Sequence, residues 1–153
     1  MEELLHISKF SLPIIALLGL YIAGQQYLVN KTKIRLELYD RRFDIYDSIF
    51  SIFDSMLNDG KVNEKTFFTF EKSCHEAKFL LPKKIHKEVN KAHSLVCKWK
   101  RLNRQLVAFE IKNLSSKGVD DVKNEMITVE EEIESFIEPM TASFATVLKF
   151  EQF

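Results

Sequence analysis

Glycine occurs four times, proline three times and cysteine twice in 153 residues. So few glycines and prolines leave too few turn positions for a loop-rich or all-β chain, and a mostly helical protein is expected. The two cysteines, Cys74 and Cys97, follow no framework spacing. That excludes a disulfide-stapled secreted domain and fits a reducing compartment. An excess of either charge is missing as well, since 22 Lys and Arg balance 22 Asp and Glu. No global field draws the chain to nucleic acid, so no nucleic-acid partner is expected. A phosphate-binding loop, a nucleophile elbow and a dinucleotide fingerprint are all absent, and the chain is read as neither an enzyme nor a cofactor carrier. Its length suits one domain rather than two.

What the sequence does have is one long apolar run. From Phe10 to Val29 the only clearly polar residues are Ser11, Gln25 and Gln26. Twenty residues at about 1.5 Å each cover roughly 30 Å, the thickness of a hydrocarbon core. Pro13 falls near the start, where a helix tolerates it. The flank MEELLHISK carries no basic cluster and no A-x-A site follows, so a retained anchor is expected rather than a cleaved signal peptide. Lys31, Lys33, Arg35, Arg41 and Arg42 place the carboxyl-terminal side in the cytoplasm. The expected organisation is therefore a single-pass anchor in the inner (plasma) membrane over residues 1–30, spanning about 10–29. A cytoplasmic helical bundle over 31–153 follows it. The rival is a core helix or an in-plane amphipathic segment, because Gln25 and Gln26 weaken the inner end.

The run is followed by LELYDRRFDIYDSIF, residues 36–50. Leu36, Tyr39, Phe43, Tyr46, Phe50, Phe53 and Leu57 recur at alternating spacings of 3 and 4, a heptad seam. Leu38, Ile45 and Ile52 make a second row, with Ile49 and Met56 between the two. So wide an apolar arc predicts a bundle helix rather than a two-stranded coiled coil. Asp40, Asp44, Asp47 and Asp54 line the opposite side. With no breaker after the apolar run, anchor and seam read as one helix.

Asn58-Asp59-Gly60 predicts a turn, and Asn63 an N-cap. A second helix then carries Phe67, Phe70, Cys74, Ala77 and Leu81 and closes at Pro82. A third runs from about Lys83 to Asn113, with Ile85, Val89, Ala92, Val96 and Trp99 on its seam, then Leu102, Leu106 and Phe109. After a loop at 115–118, a fourth helix starts near Asp120 and buries Val122, Met126, Val129, Ile133, Phe136 and Met140. Pro139 is expected to break or kink it ahead of a short segment with Phe144, Val147 and Leu148. The fold class is all-α: an N-terminal transmembrane helix running into an antiparallel bundle of about four helices.

Three stretches, KTKIRLELYDRRFDIYDSIF, NDGKVNEKTFFTF and EAKFLLPKKI, resemble small uncharacterised bacterial single-pass membrane proteins. In those an LxLYxxRFxIY helix follows the anchor and an EAxFLF-like segment comes later. The resemblance covers roughly residues 31–110 and departs from the pattern at Leu81 and Pro82. It implies a membrane-tethered helical module and carries no chemistry.

Few side chains have the spacing of a reactive site. His93 and Cys97 at i, i+4 could share a metal with Cys74 or His75 from an antiparallel neighbour. His86 lies about 10 Å along the helix from His93, too far to join. The same face borders the apolar seam, where His and Cys pack as ordinary residues, and no metal is expected. NDGKVNE has the centre of a calcium loop, but Ser55, Leu57 and Thr66 occupy ligand positions, so no calcium site is expected. Glu130, Glu131, Glu132, Glu134 and Glu138 read as a solvated face.

Charge divides by helix. Eight Lys or Arg and one Glu lie between Lys83 and Arg104; eight Asp or Glu and two Lys lie between Lys117 and Glu138. Complementary edges on helices three and four are expected, with anionic headgroups the alternative use of the basic one. Arg42 falls inside the apolar arc and is expected to pair with Glu130 or Glu134, with Tyr39, Phe43, Tyr46 and Phe50 buried around it. Arg42, Lys83, Lys84, Lys87 and Lys91 are the candidate interaction residues. The leading function is a membrane-tethered adaptor or scaffold that contacts lipid through its N-terminal helix and an unknown protein, or itself, through its bundle. An oligomeric channel or toxin-like effector is the alternative, and a metal- or redox-responsive protein the second alternative.

Overall fold

The computed structural model describes residues 2–111 and 117–149, with side chains from Pro13 onward except at positions 110 and 117. It contains four helices: α1 (Glu2–Leu57), α2 (Glu64–Leu80), α3 (Lys83–Ile111) and α4 (Lys117–Val147). No strand occurs among the described residues. The chain is all-α. It divides into two compact units, one ending at Tyr39 and one starting at Asp40, nine residues beyond the boundary expected at residue 30. The reason is burial: side chains from Lys31 to Glu37 are exposed, and the first fully buried one is Ile45.

Within the first unit, large apolar side chains face outward all round the helix, among them Ile14, Leu17, Leu20 and Ile22. Among the described residues, however, no helix is long and apolar enough to cross a membrane. The expected transmembrane helix is therefore not part of the observed fold. The side chains of Phe10, Ser11 and Leu12, where the expected span starts, lie outside the described residues, and Gln25 and Gln26 dilute its other end.

The second unit is a four-helix core. α1 contributes Ile45, Ile49, Ile52, Phe53 and Met56, α2 Phe70, Cys74 and Ala77, α3 Val89, Val96, Trp99 and Leu102, and α4 Ile133, Met140 and Phe144. The seams expected for α2 and α3 are buried at Phe70, Cys74, Ala77, Leu81, Ile85, Val89, Ala92, Val96, Trp99 and Leu102, while Phe67, Leu106 and Phe109 are only half-buried. On α1 the buried stripe is rotated. Ile45, Ile49, Ile52 and Met56 form its centre, Tyr46 and Phe50 flank it half-buried, and Phe43 is 44% exposed. Compact β-branched Ile fits a tight helix interface, whereas the Tyr and Phe rings cover its edge: Tyr46 packs 5.5 Å from Phe144 and 4.3 Å from Phe50.

Local chemistry sets the connections. Gly60 takes φ +60°, a left-handed conformation that lets the chain reverse after α1, and Lys61 N–H reaches back to the Ser55 carbonyl. Asn63 caps α2, its Oδ1 accepting from Thr66 N–H at 2.7 Å. Ahead of Pro82, Leu81 is extended (φ −113°, ψ 149°), as the proline ring demands, and α3 starts at once. Lys117 and Gly118, expected in a loop, belong to α4, and Ser115 and Ser116 lie outside the described residues. α4 also continues through Pro139 without the break that was one of its two expected effects. A proline inside a helix costs about 3 kcal/mol. Beyond it Met140 and Phe144 are completely buried, each contributing about 1.5 to 3 kcal/mol, which offsets that loss.

Candidate functional site

The residues expected to share chemistry lie where α2 meets α3. His93 stacks on Phe70, with centroids 5.9 Å apart and planes 16° from parallel. Its Nε2 is 3.8 Å from Glu71 Oε1 and 3.7 Å from Cys97 Sγ. His75 is turned along its own helix, Nδ1 lying 2.7 Å from the Glu71 carbonyl. Cys74 is buried in the core. Among the described residues no three His, Cys, Asp or Glu side chains are placed to hold a metal ion, so His93, Cys97 and Cys74 do not assemble into a metal site.

Nor is the thiol pair arranged for nucleophilic work, which needs a thiolate. Burial, reinforced by Cys97 and Glu71, pushes the Cys74 thiol up to about 12. Burial and Glu71 also raise Cys97, against a smaller lowering by Lys100. The Lys100 ammonium sits instead over the Phe67 ring, 3.2 Å from its centroid. One measurement checks this pair. At pH 8 a disulfide reagent should modify the exposed Cys97, more slowly than a free thiol, and reach Cys74 only after denaturation. Because the folded Cys74 keeps a proton that the unfolded thiol sheds near pH 9, stability from this group is present below pH 9. It should fall between pH 9 and about 12, by at most about 1.4 kcal/mol per unit. Cys74→Ala should remove that slope.

Two lysines of α3 are paired with two glutamates of α4. Lys91 meets Glu132 at 3.3 Å, and Lys98 meets Glu125 at 3.3 Å. Seven residues forward on α3 match seven backward on α4, so the helices are antiparallel and the pairs lie one heptad apart. All four side chains are partly exposed, so each pair is worth little in stability and more in register. Lys91 also lies over Phe136, 5.0 Å from the ring centroid. The remaining candidates, Lys83, Lys84 and Lys87, are exposed at the start of α3 and make no ion pair among the described residues.

Arg42 does not reach Glu130 or Glu134. Its Nε donates to the Leu80 carbonyl at 2.9 Å, closing the last turn of α2. Glu130 is occupied otherwise: its Oε1 accepts from Trp99 Nε1 at 3.0 Å. A helix C-terminus leaves carbonyls unpaired and carries partial negative charge, so a guanidinium half-buried beside it is matched without a carboxylate. Arg42→Met should lower the stability of the chain by about 1.5 to 3 kcal/mol in a denaturant titration. Arg42→Gln, whose amide could still donate, should lose less.

One polar feature was not legible as a site. α1 and α2 enclose an open groove of about 540 Å³, flanked by Asp44, Asp47, Thr69 and Lys72 and floored by the buried Ser48 and Ser73. The signal was there in the small hydroxyl residues at 3/4 spacing on both helices, but the aspartates read as a solvated back. Ser48 Oγ donates to the Ile45 carbonyl of its own helix at 2.9 Å. The groove can accept polar groups. No family model matches the chain, and no curated protein or solved structure is detectably similar to it.

Proposed function

We propose that the protein is a membrane-tethered helical scaffold. Residues from Phe10 to Val29 insert into the inner (plasma) membrane, and the bundle binds another protein, or a second copy, on the cytoplasmic side without catalysing a reaction. The supporting observation is the exposure of Ile14, Ile15, Leu17, Leu18, Leu20 and Ile22 around the helix, an apolar surface that water would not tolerate bare. Lipid is the solvent that accepts apolar side chains on every side of one helix. The basic residues from Lys31 to Arg42 then set the orientation.

A second reading, an oligomeric channel, is favoured by one feature of the same segment. Tyr21, Gln25, Gln26 and Asn30 edge a shallow depression, and a Cβ at Gly19 or Gly24 would meet open space, so a neighbouring helix could approach closely. Photo-crosslinking in native membranes separates the readings. A photoreactive residue at Phe68, exposed on the bundle, should give an adduct of one defined mass under the scaffold reading. Absence of any adduct from the bundle, together with ion leakage from liposomes holding the purified chain, would replace the scaffold with the channel.

A further inference from the structure

The turn between α2 and α3 carries charge and apolar surface that the fold leaves unused. Phe79 is 82% exposed, the most open of the large apolar side chains among the described residues, and Lys78 lies over its ring at 5.9 Å. Lys83, Lys84 and Lys87 follow within the first two turns of α3, exposed, and that helix has no acidic residue in its first turn. This inverts the usual arrangement. A helix N-terminus is already partially positive and favours carboxylates, so lysines there repel it and one another. The acids that flank it in sequence do not compensate: Glu76 faces Lys72, and Glu88 turns inward to accept from Ser143 Oγ at 3.0 Å.

We propose that this turn is a second membrane contact, in which Phe79 enters the headgroup layer of an anionic bilayer and Lys83, Lys84 and Lys87 bind lipid phosphates. A turn with one bare aromatic ring followed by exposed lysines suits a soft, negatively charged surface, since the ring needs an apolar medium that an acidic protein face does not offer. Position favours the same occupant. The hydrogen bond from Arg42 to Leu80 puts the turn at the end of the bundle where its first residues lie. Only ten residues, 30–39, separate those from the apolar run, a contour of at most about 36 Å. The inference takes its proximity, though not its chemistry, from the proposed tether.

The test uses the full chain carrying Phe79→Trp, with vesicles of phosphatidylcholine alone or mixed with phosphatidylglycerol, both with brominated acyl chains. Native Trp99 is buried and gives a constant background. Expected is a blue-shifted emission quenched by bromine in the anionic vesicles and not in the neutral ones. Adding Lys83→Gln, Lys84→Gln and Lys87→Gln should lower the docked-to-free ratio roughly fivefold per lysine. Equal quenching in both vesicles, or in neither, would overturn the proposal. So would a shift caused by polyglutamate but by no vesicle, which would assign the patch to an acidic protein. Flotation with neutral vesicles reads the tether separately: a chain that fails to float but is quenched in anionic vesicles loses the tether and keeps this contact.

Discussion

Trp99→Ala should remove about 3 to 5 kcal/mol of stability, the largest loss expected from any single substitution in the bundle. Trp99 heads the fully buried side chains by volume and stands on α3 among contributions from the other three helices. Alanine would leave a cavity that the surrounding helices can only partly collapse, and would also orphan the half-buried Glu130 carboxylate that accepts from the indole. Trp99→Phe separates the two effects. The ring volume is mostly kept, so the remaining loss, about 1 to 3 kcal/mol, reports the missing hydrogen bond. Denaturant titrations followed by far-ultraviolet circular dichroism would measure both. A loss below about 1 kcal/mol for the alanine variant would mean that Trp99 does not anchor the core.

The sequence was most legible where one periodicity met one kind of neighbour. On α2 and α3 the apolar residues at 3/4 spacing are the buried ones, and Asn63 and Pro82 mark helix ends through chemistry that acts within a few residues. α1 was harder, because its apolar arc is wide enough for two adjacent seams. Size decides between them only against real neighbours, which put the isoleucines and Phe53 inside and Phe43, Tyr46 and Phe50 at the rim. Pro139 shows the same limit, since the penalty is local and the compensating burial of Met140 and Phe144 is tertiary. Arg42 was correctly singled out as a polar group within the arc. Its partner, a main-chain carbonyl at the end of α2, leaves no trace in side-chain patterning.

The other large effect concerns the apolar run. Replacing Leu17 and Leu20 together by lysine should abolish alkali-resistant membrane association of a chain that otherwise keeps its helical content. The two leucines are highly exposed, lie three residues apart and sit near the middle of the run. At the centre of a bilayer each exchange of leucine for lysine costs about 3 kcal/mol on insertion scales, so the pair costs roughly 6. That is far beyond what a polar inner end at Gln25 and Gln26 imposes. Lysines placed instead at Asn30 and Thr32, beyond the run, should have no such effect. Fractionation of cells expressing the two variants compares them directly. A double variant at 17 and 20 that stays in the membrane pellet after alkaline extraction would show that the segment does not cross the hydrocarbon core.

Alkaline extraction of native membranes holding the unaltered chain tests the central claim most directly, because high pH strips proteins held by charge and leaves those embedded in lipid. The tethered scaffold requires the chain to remain in the membrane pellet and to leave it only with detergent. Recovery of the chain in the alkaline supernatant would contradict it.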